Sequence, residues 1–196
     1  MQKDEEIQEF ILQKAKKLFQ RYGLKKTTME EIAKAAGKGK STLYYYFKSK
    51  DEIFEAVVKQ ETEQLHKELK ELTSQANDVQ TRLKLYCITH LQKLKEKVNL
   101  YQIVFSELSD QMGMMYELRK KFNHFELDFL TQILTEGVEN NEIELSREDI
   151  EWFAVVMSAA MKGIETHLVL FEQHPNLEDK AGKMIDMFYH GIKRRK

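Results

Sequence analysis

The sequence predicts an all-α protein, and two observations indicate this. Its 196 residues contain one proline and eight glycines, so few positions interrupt a helix. Apolar residues recur at positions i, i+3 and i+4 through most of the chain, which is the spacing of amphipathic helices. We therefore expect helices from the N-terminus onward, with short breaks between them.

The first predicted helix covers residues 4–22 and ends at Gly23, a residue common at helix C-termini. Its apolar positions lie on one face, which should contact a core. These positions are Ile7, Phe10, Ile11, Ala15, Leu18, Phe19 and Tyr22.

Two capping boxes mark the starts of later helices. Thr28 and Glu31 have the spacing in which each side chain caps the backbone of the other, and that helix should end at Gly37. Ser49 and Glu52 repeat the pattern at the start of a long helix. Further helices are predicted near 78–96, 100–109, 114–139, 146–172 and 177–193, with breaks at Asn99, around Gly113, at Asn140-Asn141 and at Pro175.

Charge is distributed unevenly along the chain. Residues 1–50 carry 12 basic and 6 acidic side chains, a net charge of +6, and the other 146 residues carry 19 and 26, a net charge of −7. A basic N-terminal part joined to an acidic remainder is typical of a module that binds a polyanion. The charged N-terminus does not resemble a signal peptide, and the longest apolar stretch, 153–161, is too short to span a bilayer. We therefore expect a cytoplasmic protein without a membrane segment.

The stretch GKGKST, residues 37–42, resembles the end of a phosphate-binding loop. That loop requires a glycine five positions before Gly39, and this chain has Lys34 there. The preceding residues also have helical rather than strand spacing. Residues 28–47 instead have the arrangement of a helix-turn-helix, in which a glycine-containing turn joins a helix to a short second helix.

At this point a family becomes recognisable. The run TTMEEIAKAAGKGKSTLYYYFKSKDEIF, residues 27–54, closely resembles the motif of tetracycline-repressor-like (TetR) regulators. Lys38 and Lys40 depart from the commonest pattern, because those positions more often hold apolar or small polar residues. The resemblance implies an N-terminal three-helix DNA-binding domain, residues 1–50, and a larger helical-bundle domain for ligand binding and dimerisation, residues 51–196.

The second helix of this motif has the chemistry expected of a helix that enters the major groove. Lysines at its N-terminus can reach phosphates or guanine edges, and its hydroxyls can reach bases or phosphates. In the family, the positions of Tyr44, Tyr46 and Lys50 contact DNA, and that of Thr28 contacts a phosphate. The predicted DNA-binding residues are Thr28, Lys38, Lys40, Ser41, Thr42, Tyr44, Tyr45, Tyr46 and Lys50.

The resemblance also implies a homodimer and an effector site. In the family the last two long helices form the dimer interface, and the small residues here permit close helix approach; the predicted interface includes Ala160, Gly163, Met184 and Phe188. Methionines and aromatic residues in the C-terminal part suit a small apolar effector. The predicted ligand-binding residues, on helices that line the pocket in the family, are Tyr86, Cys87, His90, Phe105, Phe122, Phe125, Trp152 and Met157.

Three other functional classes have less support. The sequence contains no nucleophile elbow, paired-carboxylate motif or cofactor fingerprint, so we expect neither an enzyme nor a cofactor. His90, His124 and His167 could converge on a metal but lack metal-ligand spacing, so no metal site is predicted. A role in which the C-terminal part recruits a protein partner remains the alternative. The expected function is therefore a repressor that an apolar effector releases from a palindromic double-stranded DNA operator.

Overall fold

The computed structural model describes residues 2–96, 112–170 and 176–194, and it confirms the all-α class. Within these ranges the only β-type pairing is one isolated bridge, between Ile143 and Lys193. The predicted helix at 100–109 and the predicted break at Pro175 lie outside the described residues. The helices are α1 (Gln2–Lys26), α2 (Met29–Ala35), α3 (Lys40–Tyr46), α4 (Lys50–Thr73), α5 (Val79–Glu96), α6 (Met112–Glu139), α7 (Arg147–Leu170) and α8 (Leu177–Ile192).

The described residues form two compact units. The first unit contains residues 2–63 and 112–119, and the second contains residues 64–96, 120–170 and 176–194. Helix α4 contributes residues to both units. The boundary predicted after residue 50 differs from this division, and it stays a prediction.

The core of the first unit is formed by one apolar face of each of its first four helices. Phe19 of α1 packs edge to face against Phe54 of α4, with ring centroids 5.5 Å apart. Helix α2 contacts both α1 and α3. The fully buried side chains include Ile11, Phe19, Ile32, Leu43 and Ile53. Ile11 and Phe19 lie on the apolar face that the helical spacing predicts for the first helix, whereas Phe10 and Tyr22 of that face are exposed.

The turn between α2 and α3 depends on Gly37. Its φ of +62° lies in the left-handed region, which glycine enters without steric cost. Two hydrogen bonds close the turn: the Lys38 N–H donates to the Ala33 carbonyl at 2.9 Å, and the Gly37 N–H donates to the Lys34 carbonyl at 3.1 Å. This is a Schellman motif, and it satisfies carbonyl groups that the end of α2 would otherwise leave unpaired.

The helix starts agree with the capping boxes. The Glu31 N–H donates to Thr28 Oγ1 at 3.2 Å, and the Thr28 N–H donates to the Glu31 carboxylate at 2.8 Å, so the first box is confirmed. At α4 the Glu52 N–H donates to Ser49 Oγ at 3.1 Å, while the Glu52 carboxylate accepts from the Lys48 N–H. The second cap therefore involves one more residue than its sequence pattern predicts.

In the second unit, α5 packs against both α7 and α8. Helices α5 and α6 approach closely at Gly137, where an added Cβ atom would lie 2.3 Å from a Val79 methyl group. The end of α8 is tied to the α6–α7 turn, because the Glu144 N–H donates to the Ile192 carbonyl at 2.9 Å. Helical spacing did not predict this last contact.

The α2–α3 turn allows a paired test of backbone strain. We expect Gly37→Ser to lower the free energy of unfolding by about 1 kcal/mol, because a side chain at this φ is strained even though space for it exists. The matched change Gly39→Ser should be neutral or slightly stabilising. Gly39 has a φ of −69° and precedes α3 at its N-cap, where serine is favourable. Urea denaturation of the two variants measures the difference, and equal losses would contradict the assignment of strain to Gly37.

Candidate functional site

Helix α3 presents one face to the core and the other to solvent. Leu43 and Phe47 are buried, which fixes the rotation of the helix about its axis. Tyr44 is exposed, and Tyr45 is 78% exposed. The solvent-facing side of α3 is therefore aromatic and rich in hydroxyl groups.

All nine predicted DNA-binding residues lie at the surface of the first unit, exposed or partly exposed. Ser41 is exposed, whereas Thr42 and Lys38 are partly buried. The structure thus leaves all of these residues accessible at the surface of one unit. Their role in binding DNA stays a prediction at this point.

The charge at the start of α3 is balanced within the unit. The Lys40 ammonium donates a hydrogen bond to the Glu30 carboxylate of α2, and both side chains remain largely exposed. This contact holds the pKa of Glu30 below its usual value and raises the pKa of Lys40. Lys40 also lies 5.9 Å from the centre of the Tyr44 ring. Lys40 is therefore a permanent cation whose position is set by two neighbours.

The end of α3 and the start of α4 are anchored to α1. The Tyr46 hydroxyl donates to the Asp4 carboxylate at 2.8 Å, and this bond raises the pKa of Tyr46. Lys50 Nζ donates to the Lys25 carbonyl at 3.4 Å. These contacts hold both side chains at the surface before any ligand is present.

The predicted effector residues have different environments in the second unit. Tyr86, Cys87 and Met157 are buried, and His90 is partly buried. Trp152 is 66% exposed. Phe105 and the Phe122 side chain lie outside the described residues. The role of these residues in ligand binding stays a prediction.

A buried carboxylate, which the sequence analysis missed, lies beside the buried members of this set. Glu126 of α6 is only 5% exposed and accepts a hydrogen bond of 2.6 Å from the Tyr86 hydroxyl of α5. Its second oxygen lies 3.3 Å from Lys162 Nζ of α7, and Lys162 donates in turn to Ser158 Oγ at 3.0 Å. We call Tyr86, Glu126, Ser158 and Lys162 the polar cluster.

A signal for the polar cluster was present in the sequence. Glu126 stands three residues before Phe129 and four before Leu130, on the apolar stripe of its own helix. An acidic residue on an apolar stripe requires a buried partner. The sequence also makes Lys162 and Glu165 candidates for inward-facing residues that pair with each other. The structure gives Lys162 the partner Glu126 from another helix, and the Glu165 side chain lies outside the described residues.

Aromatic rings and histidines surround the polar cluster. His66 and His124 lie against Phe125, with ring centroids 5.9 Å and 4.0 Å away, and Tyr86 packs edge to face against His90 at 5.6 Å. Burial lowers the pKa of His66, so its imidazole is neutral at pH 7. Burial also raises the pKa of the Cys87 thiol to about 12, which keeps it protonated and disfavours a redox role.

Helices α7 and α8 carry an exposed apolar face in the second unit. Trp152 lies on it together with the small residues Ala160 and Gly163 of α7, and Met187 of α8 is 69% exposed. An added Cβ atom at Gly163 would meet no atom within 4 Å. Phe188 is partly buried and packs against Phe153 with ring centroids 4.7 Å apart. The members of this apolar face are Trp152, Val155, Val156, Ala159, Ala160, Gly163, Met184, Met187 and Gly191.

Two further structural findings concern other functional classes. In the part of the chain that the structure describes, no three His, Cys, Asp or Glu side chains are grouped so that they could hold a metal ion. None of the described helices combines the length and apolar character needed to cross a membrane.

Known proteins resemble the chain in both sequence and fold. Residues 11–57 match the model of the family described as "Bacterial regulatory proteins, tetR family". The chain is 25% identical to the fatty acid metabolism regulator protein of Bacillus subtilis (strain 168) over 185 residues, which cover 93% of each chain. It is 25% identical to the transcriptional regulator QacR of Staphylococcus aureus (strain Mu50 / ATCC 700699) over 194 residues, which cover 96% of this chain and 99% of that protein.

Solved structures of transcriptional regulators also resemble this chain in fold. The structure of the transcriptional regulator FadR from Bacillus subtilis in complex with stearoyl-CoA superposes with a TM-score of 0.73 at 24% identity, covering 93% of this chain and 98% of that one. The family match lies on the helix-turn-helix, and the likeness to relatives extends over nearly the whole chain. The helix-turn-helix therefore carries the motif of the TetR family, and the chain is similar along nearly its whole length to transcriptional regulators.

Proposed function

We propose that this regulator is a cytoplasmic homodimeric repressor, which leaves a palindromic operator when an amphipathic effector with a long apolar part binds to its second unit. The observation that carries the DNA-binding part is the exposed face of α3, where Tyr44 and Tyr45 stand beside Lys40 on a basic segment. The proposed functional domains are those predicted from the sequence, residues 1–50 and 51–196.

The proposed DNA contacts follow from the anchoring of α3. Leu43 and Phe47 hold the helix by its buried side, so its N-terminus and tyrosines are available to a DNA groove. Lys40 can exchange the Glu30 carboxylate for a phosphate oxygen or a guanine edge, since its present contact is exposed and weak. Lys50 can likewise exchange the Lys25 carbonyl for a phosphate.

The proposed homodimer would use the apolar face of α7 and α8. A contiguous apolar surface on a regulator of this size indicates a protein interface. The small residues along α7 allow the matching helices of two copies to approach closely, and Gly163 has free space around it. A second copy is the proposed occupant because a single helix-turn-helix reads few base pairs, so two must act together on a palindrome.

The effector class is proposed from the relatives and from the chemistry of the second unit. One relative is named for fatty acid metabolism, and a solved structure with a similar fold contains stearoyl-CoA. The buried members of the predicted set, Tyr86, Cys87 and Met157, would suit the apolar part of a related acyl compound. Binding would weaken the operator complex by altering the separation of the two helix-turn-helix motifs, because two half-sites must be occupied together.

The DNA interface predicts a defined salt dependence. Lys50→Ala should weaken binding to any duplex and reduce the slope of log affinity against log salt by about 1, because one phosphate contact is lost. Adding Tyr44→Ala should weaken binding further. Titrations of operator DNA at several salt concentrations measure both effects.

Lys59→Ala is the matched control. Lys59 is also an exposed lysine of α4, but it forms an i, i+4 pair with Glu63 and lies outside the proposed interface. This variant should keep the wild-type slope. Unchanged operator affinity in the double variant Tyr44→Ala, Lys50→Ala would exclude α3 and the start of α4 as the DNA-binding surface.

The apolar face predicts the oligomeric state. Gly163→Arg should raise the dimer dissociation constant by at least about tenfold, because a long charged side chain would occupy the helix crossing. The protomer itself should stay folded, since the space around Gly163 is empty. Analytical ultracentrifugation separates the two states. Glu139→Arg, an exposed change on α6, should remain dimeric, and a dimeric Gly163→Arg variant would place the interface elsewhere.

The effector proposal predicts release of DNA by acyl compounds. Long-chain acyl-CoA at 100 times its dissociation constant should stabilise the protein by about 2.7 kcal/mol and reduce operator occupancy. Thermal denaturation and fluorescence anisotropy of labelled operator measure the two effects. Sugar phosphates serve as the control, and stabilisation by these compounds alone would refute an effector with an apolar part.

A further inference from the structure

The polar cluster places a buried ion pair in a largely apolar interior. Removing an ion pair from water is costly, so a buried pair often contributes less stability than apolar residues of similar size. Glu126 and Ser158 are nevertheless buried, and the cluster draws its members from α5, α6 and α7. Stability alone therefore does not explain why the positions of the polar cluster hold polar and charged residues.

The hydrogen bonds of the cluster leave one donor for a ligand. Glu126 uses one oxygen for the Tyr86 hydroxyl and the other for Lys162. An ammonium group has three N–H donors. Within the described part of the chain, Lys162 donates one to Ser158, and its nitrogen forms an ion pair with the Glu126 carboxylate 3.3 Å away, so at least one donor remains. Its side chain is 27% exposed, which leaves that donor accessible.

The charges of the cluster are already balanced. Glu126 and Lys162 cancel, and His66 is neutral at pH 7 because burial lowers its pKa. A ligand carboxylate would bring a second negative charge towards Glu126, and a ligand amine would bring a second positive charge towards Lys162. Either would remain uncompensated in a poorly solvated place, whereas a neutral carbonyl would not.

An aromatic surface adjoins the cluster. Phe129 packs against the Tyr86 ring with centroids 5.7 Å apart, and Phe125 is partly exposed between His66 and His124. An apolar chain attached to the carbonyl could lie against these rings while the carbonyl reaches Lys162. Each half of such a ligand would then have a matching surface.

We propose that the polar cluster of Tyr86, Glu126, Ser158 and Lys162 is the polar anchor of the effector site, and that it selects a neutral carbonyl at the end of an apolar chain. Acyl thioesters, esters and amides belong to this class, whereas free fatty acids and alkylamines do not. The inference rests on the proposed function, because it specifies the head group of the effector proposed there.

Three twelve-carbon probes test this selection on the full chain. They are the neutral thioester S-dodecanoyl-N-acetylcysteamine, the anion dodecanoate and the cation dodecylamine, each used below its micellar concentration. Isothermal titration calorimetry at pH 7.5 should give a dissociation constant for the thioester at least about tenfold below those of the two ions.

Glu126→Gln tests whether the charge of Glu126 selects the head group of the ligand. A purely structural role would not change the preference between thioester and acid. The glutamine can still accept from Tyr86, but the cluster then carries the positive charge of Lys162. The preference should therefore shift towards the acid, so that the affinity of dodecanoate relative to the thioester is at least about tenfold higher than in the wild type. Glu139→Gln, an exposed change on the same helix, should leave the preference unaltered.

A second variant covers the case in which Glu126→Gln folds poorly. Glu126→Gln with Lys162→Met removes both charges and the donor to the carbonyl. The thioester should therefore bind at least about tenfold more weakly, and dodecanoate should stay excluded because its charge is still uncompensated. Wild-type protein that binds none of the three probes would overturn the proposed effector class and the anchor together. Binding of thioester and acid with equal affinity in the wild type, or an unchanged preference in Glu126→Gln, would overturn the anchor while leaving an acyl effector in place.

Discussion

The burial of Leu43 and Phe47 is the constraint on which the first unit depends. Leu43 lies on a helix of only seven residues and Phe47 directly follows the last of them, so fixing both in the core fixes which side chains of the helix face outward. The left-handed turn at Gly37 allows the chain to reach that position directly after α2. Tyr44 and Tyr45 are exposed as a consequence, because they follow Leu43 by one and two residues. The same constraint explains why a short helix can present a defined surface to a DNA groove.

Helix α7 of the second unit has two apolar faces, one that packs inside the protomer and one that is exposed. Ala154, Met157 and Met161 are buried in the protomer, whereas Trp152 and Gly163 lie on the exposed side. An exposed apolar face is unfavourable in water unless something covers it. A second copy of the chain would cover this face and would also supply the second helix-turn-helix that a palindrome requires. Interior packing and the proposed assembly are thus encoded on opposite sides of one helix.

The polar cluster connects the packing of the second unit with its chemistry. A purely apolar interior would accept any greasy molecule of suitable size, because apolar contacts are not directional. The hydrogen bond from Tyr86 to Glu126 and the ion pair of Glu126 with Lys162 introduce direction and charge at one place among the helices. The composition of the chain alone predicts an apolar effector. With the polar cluster, the proposed ligand still needs a long apolar part, but its head group matters equally.

The sequence by itself determined the features that depend on neighbouring residues. Helix positions, the Thr28 capping box and the helix-turn-helix could be predicted within a few residues, because hydrogen bonds and apolar periodicity act over one or two turns. Only the tertiary structure decided which side chains meet across helices. It joined Glu126 to Lys162 and Tyr46 to Asp4, and it placed Trp152 on an exposed face. Periodicity shows which residues share a face of a helix, but not which helix packs against that face, since this depends on the packing of segments that are distant in the chain.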